Sequence, residues 1–528
     1  MNFAVSRGLT FPAGPVLLLG LLTLAAIYAR PLTPIDETRY VSVAWEMWLR
    51  DDWLVLFKNG EPYSHKPPLL FWLYNLGWAV TGVNEWWPRL VSPLFSLGSL
   101  LLMLSIGRRL WPGDDATARH AAWILASSLL WMLFSTSAMF DVMLGFFALL
   151  GARGLLIAAE GSMKRGFAWL AFAIGFGVLA KGPVVLLHLL PLALLAPWWR
   201  PGLAWRRWTG GVLLALLGGA SIALAWAVPA AIQGGEEYAR MIFWGQTAGR
   251  VADAFAHKRS FWWYLPLLPL LFFPWLTWPA LWRRFAALKR EGLDAGLRFC
   301  LAWLLPVLLL LSLISGKQIH YLVPLFPAFA LFAGRLYARG RDDGALWLPA
   351  ALAGAAGAGM AYYALEGLPG KLGMWENPPG WPGAALLLAA ILAFGLGRAE
   401  RRRLPALALL GAALYVAALA FASGNLWQRY DVHPIAGEIR KLQARGVPLA
   451  NNGFYHAQFH FAGRLEKPID ELLEPTEIAP WFAAHPEGVL IIYVTPKPGE
   501  TAHFSQPYLG EHALLVDAAQ LRARGMLR

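Results

Sequence analysis

Residues 11–40 read FPAGPVLLLGLLTLAAIYARPLTPIDETRY. The segment from Phe11 to Ala29 is an almost continuous apolar run, and about 20 such residues are enough to cross a bilayer as a helix. Directly after it, Pro34 to Tyr40 places two carboxylates, an arginine and a tyrosine at the end of that run. A spanning helix that ends in a polar cluster predicts a membrane protein whose active site lies at the membrane surface.

The composition of the whole chain supports this class. Of the 528 residues, 58% are hydrophobic, only 15% are charged and 28 are tryptophan, which excludes an ordinary soluble protein. The net charge of +13 is better explained by basic loops on the inner side of a membrane than by nucleic-acid binding. The single cysteine, Cys300, lies in an apolar run and excludes both a disulfide framework and a thiolate metal cluster.

Apolar segments of spanning length recur along the first four fifths of the chain, and about 13 qualify as candidate membrane helices. They run from Phe11 to Ala29, Arg89 to Ile106, Ala121 to Phe134, Phe140 to Ala158, Phe167 to Ala180, Val184 to Trp198, Gly211 to Ala231, Phe261 to Trp282, Phe299 to Ile314, Tyr321 to Ala338, Ala345 to Leu365, Ala384 to Leu396 and Leu404 to Ala422. Only Arg7 precedes the first run as a basic residue and no small-residue cleavage signal follows, so we expect a retained span.

The basic residues orient these helices. With a cytoplasmic N-terminus, nearly every Lys and Arg cluster falls in an inner loop, as the positive-inside rule requires. The opposite face then carries residues 30–88, residues 233–260 and everything after about residue 424. We therefore expect these three segments on the periplasmic or exterior side of the membrane.

Two of the outer segments have structure of their own. In the first loop, residues 39–53 show helical apolar spacing and residues 67–80 are apolar yet too short to span, so both predict helices lying in the membrane interface. After residue 424 an amphipathic segment, Pro434 to Arg445, is followed by the short apolar runs Val489 to Val494 and Leu514 to Val516. The sequence predicts a membrane domain over residues 1–423 and a small α/β domain over residues 424–528.

The first candidate site is the acidic cluster of the first loop. Asp36 could simply cap the following helix by accepting the Arg39 amide hydrogen. However, Arg39 and Tyr40 follow at helical spacing and share its face. A carboxylate acting as base beside an arginine that binds phosphate would suit a phosphate-bearing lipid.

Further candidates stand at the outer ends of helices. Lys66 precedes Pro67, which fixes a helix start, so the ammonium and the positive helix end could form an anion site; the alternative is a lysine that snorkels to the headgroups. Asp141 begins an apolar span, where a carboxylate either caps the helix facing water or is functional. Lys181 and Lys317 each stand in a short outer turn, and their convergence with Lys66 and Arg39 favours a polyanionic ligand.

The loop over residues 233–260 contributes Arg250, His257, Lys258 and Arg259 and is long enough to reach over a site as a lid. His456 and His460 lie among phenylalanines and predict a packed surface rather than a metal pair. No Walker loop, dinucleotide glycine pattern or nucleophile elbow is present in the sequence.

These motifs resemble a known family. Asp36-Glu37-Thr38-Arg39-Tyr40, Lys66-Pro67 followed by Trp72 and Asn75, and Asp141 after a polar turn are similar to the bacterial aminoarabinose transferases that modify lipid A. More distantly they resemble the protein O-mannosyltransferases, which share the GT-C fold. Lys181-Gly182, Gly316-Lys317 before Tyr321, and His257-Lys258 before Trp262-Trp263-Tyr264 extend the likeness over roughly the first 340 residues.

The resemblance implies an all-α, multi-spanning GT-C glycosyltransferase with a small C-terminal α/β domain. It implies an inverting transfer of 4-amino-4-deoxy-L-arabinose from undecaprenyl phosphate to a lipid A phosphate, a modification associated with polymyxin resistance. Asp36, Asp141 and Glu37 would then be catalytic. The donor phosphate would be bound by Arg39, Lys66, Arg250, Lys317 and Tyr321. Other substrate contacts would come from Tyr40, Tyr63, His65, Lys181 and His257.

The sequence departs from the family at His65, where an acid is expected, and matches only loosely around Gln246 to Arg250. These departures leave the acceptor and any metal contact open, although we expect no cofactor, no resident metal, no nucleic-acid partner and a monomer among membrane lipids. The nearest alternative moves another polyprenyl-linked sugar to a different glycan or protein. A transporter would place its polar groups near the membrane midplane, and a polysaccharide polymerase or ligase would lack the paired first-loop motifs.

Overall fold

The computed structural model describes residues 12–245, 258–340, 344–367, 378–496, 499 and 501–527. Its first half is a series of helices interrupted by one small hairpin. The helices are α1 (Ala13–Ala29), α2 (Asp36–Arg50), α3 (Leu69–Thr81), α4 (Trp86–Leu110), α5 (Asp115–Ala126), α6 (Leu129–Ser135), α7 (Asp141–Ala159), α8 (Met163–Lys181), α9 (Val185–Leu194), α10 (Ala196–Trp199) and α11 (Trp205–Arg240). Strands β1 (Phe57–Lys58) and β2 (Glu61–Pro62) pair antiparallel between α2 and α3.

The second half continues the helical domain. Its helices are α12 (Leu268–Leu271), α13 (Pro279–Glu291), α14 (Ala295–Leu313), α15 (Phe326–Ala338), α16 (Trp347–Glu366), α17 (Trp381–Leu396), α18 (Arg403–Phe421) and α19 (Asn425–Tyr430). A π-helical turn covers Met241–Gly245, and 3₁₀ turns cover Leu265–Leu267, Ile319–Leu325 and Glu400–Arg402.

Within the described residues, eight helical segments are long and apolar enough to cross a membrane. They are Trp86–Leu110, Asp141–Ala159, Met163–Lys181, Trp205–Trp244, Ala295–Leu313, Ile319–Ala338, Trp347–Glu366 and Glu400–Phe421. Shorter apolar helices, α1, α3, α9 and α17, accompany them. The chain is therefore a multi-pass membrane protein, while the number of about 13 spans and their orientation stay predictions.

The expected span from Val184 to Trp198 divides into α9 and α10, and two more expected spans differ from the structure. The segment from Ala121 to Phe134 divides into α5 and α6, and the segment from Phe261 to Trp282 contains only short helical turns before α13 begins at Pro279. The second segment carries several prolines, which remove backbone donors and prevent a continuous helix. A backbone hydrogen bond joins the two interruptions: the Leu129 amide donates to the Phe273 carbonyl at 3.0 Å.

The C-terminal part folds around a five-stranded sheet. Its helices are α20 (His433–Ala444), α21 (His460–Gly463), α22 (Ile478–Ala484) and α23 (Ala518–Arg524), with a 3₁₀ turn at Pro475–Glu477. Strands β3 (Leu449–Asn452), β4 (Asp470–Leu472), β5 (Val489–Val494), β6 (Phe504–Tyr508) and β7 (Glu511–Val516) lie in the order β4-β3-β5-β7-β6. Strand β3 is parallel to β4 and β5, whereas β7 is antiparallel to both of its neighbours. The expected α/β character is confirmed.

Helix α2 lies between the membrane domain and the C-terminal sheet, although its sequence predicts one face in lipid. Its central residues Val41, Val43 and Ala44 are fully buried. On one side the Asn75 side chain of α3 donates to the Ala44 carbonyl at 3.0 Å. On the other, the Trp45 indole donates to the Leu465 carbonyl at 2.9 Å. Protein therefore packs on two sides of α2, while Trp48 and Leu49 are exposed, and a lipid contact through these two side chains stays a prediction.

Candidate active site

Asp36 is the first residue of α2, and its carboxylate faces the next turn of the same helix. The Arg39 guanidinium forms an ion pair with Asp36 Oδ1, and the Tyr40 hydroxyl donates to the same oxygen at 3.3 Å. The Arg39 amide donates instead to the Ile35 carbonyl at 3.1 Å, so the alternative in which Asp36 caps the helix does not apply. The Asp36 side chain is 46% exposed and is available to a ligand.

Glu37 has a different environment although it follows Asp36 directly. Its carboxylate is buried and accepts hydrogen bonds from both terminal nitrogens of Arg30, at 2.5 and 3.1 Å. It also accepts hydrogen bonds from the Thr33 amide, the Thr33 hydroxyl and the Ala138 amide, at 2.9, 2.6 and 2.6 Å. Burial alone would raise the pKa of Glu37, but the Arg30 guanidinium and the Thr33 hydrogen bonds lower that pKa to about 2. Glu37 thus attaches α2 to the turn before α7, and a catalytic role for it stays a prediction.

That turn leads directly to the second acid. Asp141 is the first residue of α7 and is 1% exposed, and its Oδ1 forms an ion pair with Lys181, the last residue of α8. A carboxylate at a helix N-terminus and a lysine at a helix C-terminus both complement the helix dipoles. The Lys181 ammonium also lies 5.5 Å from the ring centre of Tyr321. The structure therefore brings Asp141, Lys181 and Tyr321 together.

Aromatic rings connect the two acidic groups. The Phe140 ring, next to Asp141, packs edge-on against Tyr40 at 4.8 Å and against Phe71 at 5.7 Å. The Lys66 ammonium lies 6.0 Å from the centre of the same Phe140 ring. Lys66 therefore lies beside the Asp36 group and the Asp141 group, at the ends of α2 and α7.

Tyr63 and His65 border this cluster on the side of the first loop. Tyr63 is buried, and its ring centre lies 5.3 Å from that of His65 and 6.4 Å from that of Phe71. His65 is exposed, so it stands at the rim where the sequence departs from the family pattern. Tyr63 adjoins the cluster through Phe71, and His65 adjoins it through Tyr63.

His320 also belongs to this cluster, although the sequence motifs did not indicate a role for it. Its ring packs against Tyr321 at 4.7 Å and against Phe134 at 5.8 Å. It lies within electrostatic range of four charged groups, namely Asp141, Lys181, Asp36 and Lys66. Its position three residues after Lys317 in a short outer turn was the available signal.

The remaining candidates lie elsewhere. Lys317 is buried and its ammonium donates to the backbone carbonyls of Ile314 and Arg259, the latter at 3.2 Å, so it stabilises the turn before Tyr321. Arg250 and His257 lie outside the described residues, as does the middle of the expected lid (residues 246–257), while Gln233 to Arg240 continue α11.

Two further observations limit where ligands can bind. A cavity of about 280 Å³ lies between α2 and the C-terminal domain, lined by Glu46, Arg50 and His460 among others, at the opposite end of α2 from Asp36. No group of three or more His, Cys, Asp or Glu side chains in the described ranges is placed to hold a metal ion. A metal-free reaction stays a prediction.

Comparison with known proteins gives three kinds of similarity. The family model for dolichyl-phosphate-mannose-protein mannosyltransferases matches residues 65–231, which include Lys66, Asp141 and Lys181. The undecaprenyl phosphate-alpha-4-amino-4-deoxy-L-arabinose arabinosyl transferase of Pseudomonas aeruginosa (strain UCBPP-PA14) is 33% identical over 322 residues, 60% of this chain and 57% of that protein. The enzyme of the same name from Pectobacterium atrosepticum is 31% identical over 326 residues, with the same coverage.

The solved structures extend the similarity over nearly the whole chain. ArnT from Cupriavidus metallidurans bound to undecaprenyl phosphate matches with a TM-score of 0.74 and 18% identity, covering 96% of this chain and 98% of that chain. The aligned segments of the curated relatives span a little more than half of their length. These matches confirm the resemblance inferred from the sequence, and the chain has the GT-C fold of ArnT.

Proposed function

We propose that this protein is a membrane glycosyltransferase. It transfers 4-amino-4-deoxy-L-arabinose from undecaprenyl phosphate to a phosphate of lipid A, at the periplasmic face of the bacterial inner membrane. The names of the relatives and the undecaprenyl phosphate bound to ArnT support the donor. The acceptor follows from the family resemblance of the first-loop motifs.

The observation that carries the proposal is the grouping of acids and cations at the ends of apolar helices. Asp36 with Arg39, and Asp141 with Lys181, form two ion pairs that Phe140 and Lys66 connect. A polyprenyl phosphate keeps its chain in the bilayer and presents its anionic headgroup at the surface. Cations at the ends of apolar helices can therefore bind this anionic headgroup while its chain stays in the bilayer, whereas a soluble substrate would not require that position.

The cations and the carboxylate have different roles in the transfer reaction. An oxygen of the acceptor phosphate forms a new bond to the anomeric carbon, and the bond from that carbon to the donor phosphate oxygen breaks with its electron pair. Lys66 and Arg39 stabilise the departing phosphate. A phosphate monoester has a second pKa of about 6, so it is already anionic and needs little help from a base. Asp36 therefore acts mainly by balancing positive charge at the anomeric carbon.

The test is mass spectrometry of lipid A from a host that makes the aminoarabinose donor but lacks its own transferase. The host carries either this gene or the Asp36→Asn variant, which keeps the side-chain shape and removes the charge. We expect one added aminoarabinose per modified phosphate with the intact gene and at least a hundredfold less with Asp36→Asn, since electrostatic groups of this kind contribute about 10²–10³ in rate. Full modification by the variant, at equal membrane abundance, would remove Asp36 from the mechanism.

A second candidate keeps the donor class and changes the sugar or the acceptor. It is favoured by the match of the mannosyltransferase family model to residues 65–231 and by His65, where the family resemblance leads us to expect an acid. Unmodified lipid A in the same experiment, with the intact protein present in the membrane, would favour this candidate.

A further inference from the structure

Asp141 has one carboxylate oxygen that no described residue satisfies. Its Oδ1 pairs with Lys181, whereas its Oδ2 is buried without a hydrogen-bond partner within the described ranges. Buried polar atoms are nearly always hydrogen-bonded, and an exception at a charged cluster needs an explanation. A donor group of a bound substrate would satisfy this oxygen.

His320 presents ring nitrogens without a protein partner among the described residues to the same cluster, and its half-buried position leaves them accessible to a ligand. It is half-buried, and no hydrogen bond joins its ring nitrogens to any described residue. Phe134 and Tyr321 hold the ring by aromatic contacts. These aromatic contacts fix the plane of the imidazole, so its nitrogens are held in place for a hydrogen-bonding ligand.

We propose that His320 and Asp141 Oδ2 bind the transferred sugar of the donor by hydrogen bonds to its hydroxyl or amino groups. This inference rests on the proposed function and adds His320 to the residues that contact the substrate. A neutral imidazole offers one donor and one acceptor, and the carboxylate offers an acceptor, which together match a sugar. Lys181 compensates the charge of Asp141, so neutral hydroxyl groups suit the pair as well as an ammonium does.

Two variants of His320 separate hydrogen bonding from packing. His320→Phe keeps a ring between Phe134 and Tyr321 but removes both hydrogen-bonding nitrogens, whereas His320→Gln keeps a donor and an acceptor. The measurement is binding of two lipids to purified protein in detergent: undecaprenyl phosphate alone and the same lipid carrying 4-amino-4-deoxy-L-arabinose. We expect His320→Phe to bind the sugar-bearing lipid roughly tenfold more weakly and the bare lipid as the wild type does, because the variant loses a hydrogen bond that only the sugar makes. His320→Gln should retain most of the affinity.

The outcomes distinguish this inference from the proposed function. Equal binding of both lipids by the wild type overturns the inference without any variant, so the test does not depend on the folding of His320→Phe. A His320→Phe protein that binds both lipids like the wild type, or loses both equally, also overturns it. Unmodified lipid A together with a wild-type preference for the sugar-bearing lipid would reject the acceptor and support the sugar site.

Discussion

Two adjacent carboxylates at the start of α2 have opposite environments. Successive residues of a helix point about 100° apart, so Asp36 faces Arg39 and Tyr40 while Glu37 faces Arg30 in the interior. The first is half-exposed and free to act on a substrate, and the second is fully engaged by protein donors. We therefore assign chemistry to Asp36 and the support of its helix to Glu37.

Replacing Glu37 tests this division. Glu37→Gln leaves the Arg30 guanidinium buried beside Thr136 and Ser137 without a counter-ion. Removing one partner of a buried ion pair costs about 3–5 kcal/mol, so we expect a clear drop in the melting temperature of the purified protein and a loss of transfer. Glu61→Gln, which changes an exposed glutamate in β2, is the matched control and should leave both unchanged.

The pKa of Glu37 adds a second readout. Because folding lowers that pKa from 4.5 to about 2, the pair contributes stability above pH 4.5 and loses it as the pH falls through 2. Glu37→Gln should lack this acid-dependent component. A variant that melts like the wild type at neutral pH would show that Arg30 does not need Glu37.

The elements that the sequence predicts are those whose signal is local. Helical spacing predicted α2 and α20, and an apolar run predicted β5. Strand β6 was missed because Pro507 interrupts its pattern, and such a strand is tolerated only at the edge of a sheet, where β6 lies.

The parts of the site that could not be predicted depend on distant residues. The Ala138 amide lies 101 positions from Glu37, and the Leu465 carbonyl lies 420 positions from Trp45. Helical spacing placed Arg39 and Tyr40 beside Asp36, but it contains no information on which carboxylate turns inward. His320 joins the site only because α7, α8 and the turn before α15 meet there.

The contact between α20 and the start of α4 is sensitive to pH. His433 lies between Asp431, 2.6 Å from its Nδ1, and Glu85, 3.0 Å from its Nε2. Hydrogen bonds to Asp431 and Glu85 raise the pKa of His433 from 6.5 to about 10. A raised pKa stabilises the folded state fully below pH 6.5, and this contribution disappears as the pH rises through 10.

We therefore expect the melting temperature to fall between pH 6.5 and 10 by a component that His433→Asn lacks. The side chain is 47% exposed, so solvent screening limits the effect to under about 1 kcal/mol. Glu85→Gln should reduce the same component, because it removes one of the two carboxylates. If wild type and both variants show the same pH dependence, His433 does not stabilise this contact.

At the scale of the whole molecule, the C-terminal domain supports the helix that carries Asp36. The Lys58 ammonium donates to the Tyr455 carbonyl at 2.6 Å and pairs with Glu471 at 3.6 Å. The Phe461 ring stacks on Trp78 of α3 with ring centres 5.3 Å apart, and its amide donates to the Ser42 hydroxyl at 3.1 Å. The first loop and the C-terminal domain therefore form one packed unit above the membrane helices.

Replacing Asn59 can selectively weaken the contact between the first loop and the C-terminal domain. Its side chain donates to the Ile469 carbonyl and accepts the Ile469 amide, both at 2.8 Å, across 410 positions of sequence. Asn59 has a φ of 54°, which glycine adopts without strain, so Asn59→Gly removes the two hydrogen bonds and preserves the turn. Each lost partner leaves a buried backbone group unpaired, at a cost of about 1–3 kcal/mol.

For Asn59→Gly we expect amide hydrogen exchange in β4 to accelerate at least tenfold while exchange in α14 stays unchanged. We also expect sugar transfer to decline, because α2 loses its contacts with the C-terminal domain. Unaltered exchange in β4 would mean that the other contacts hold the domain without Asn59, and faster exchange with full transfer would show that the C-terminal domain does not position Asp36.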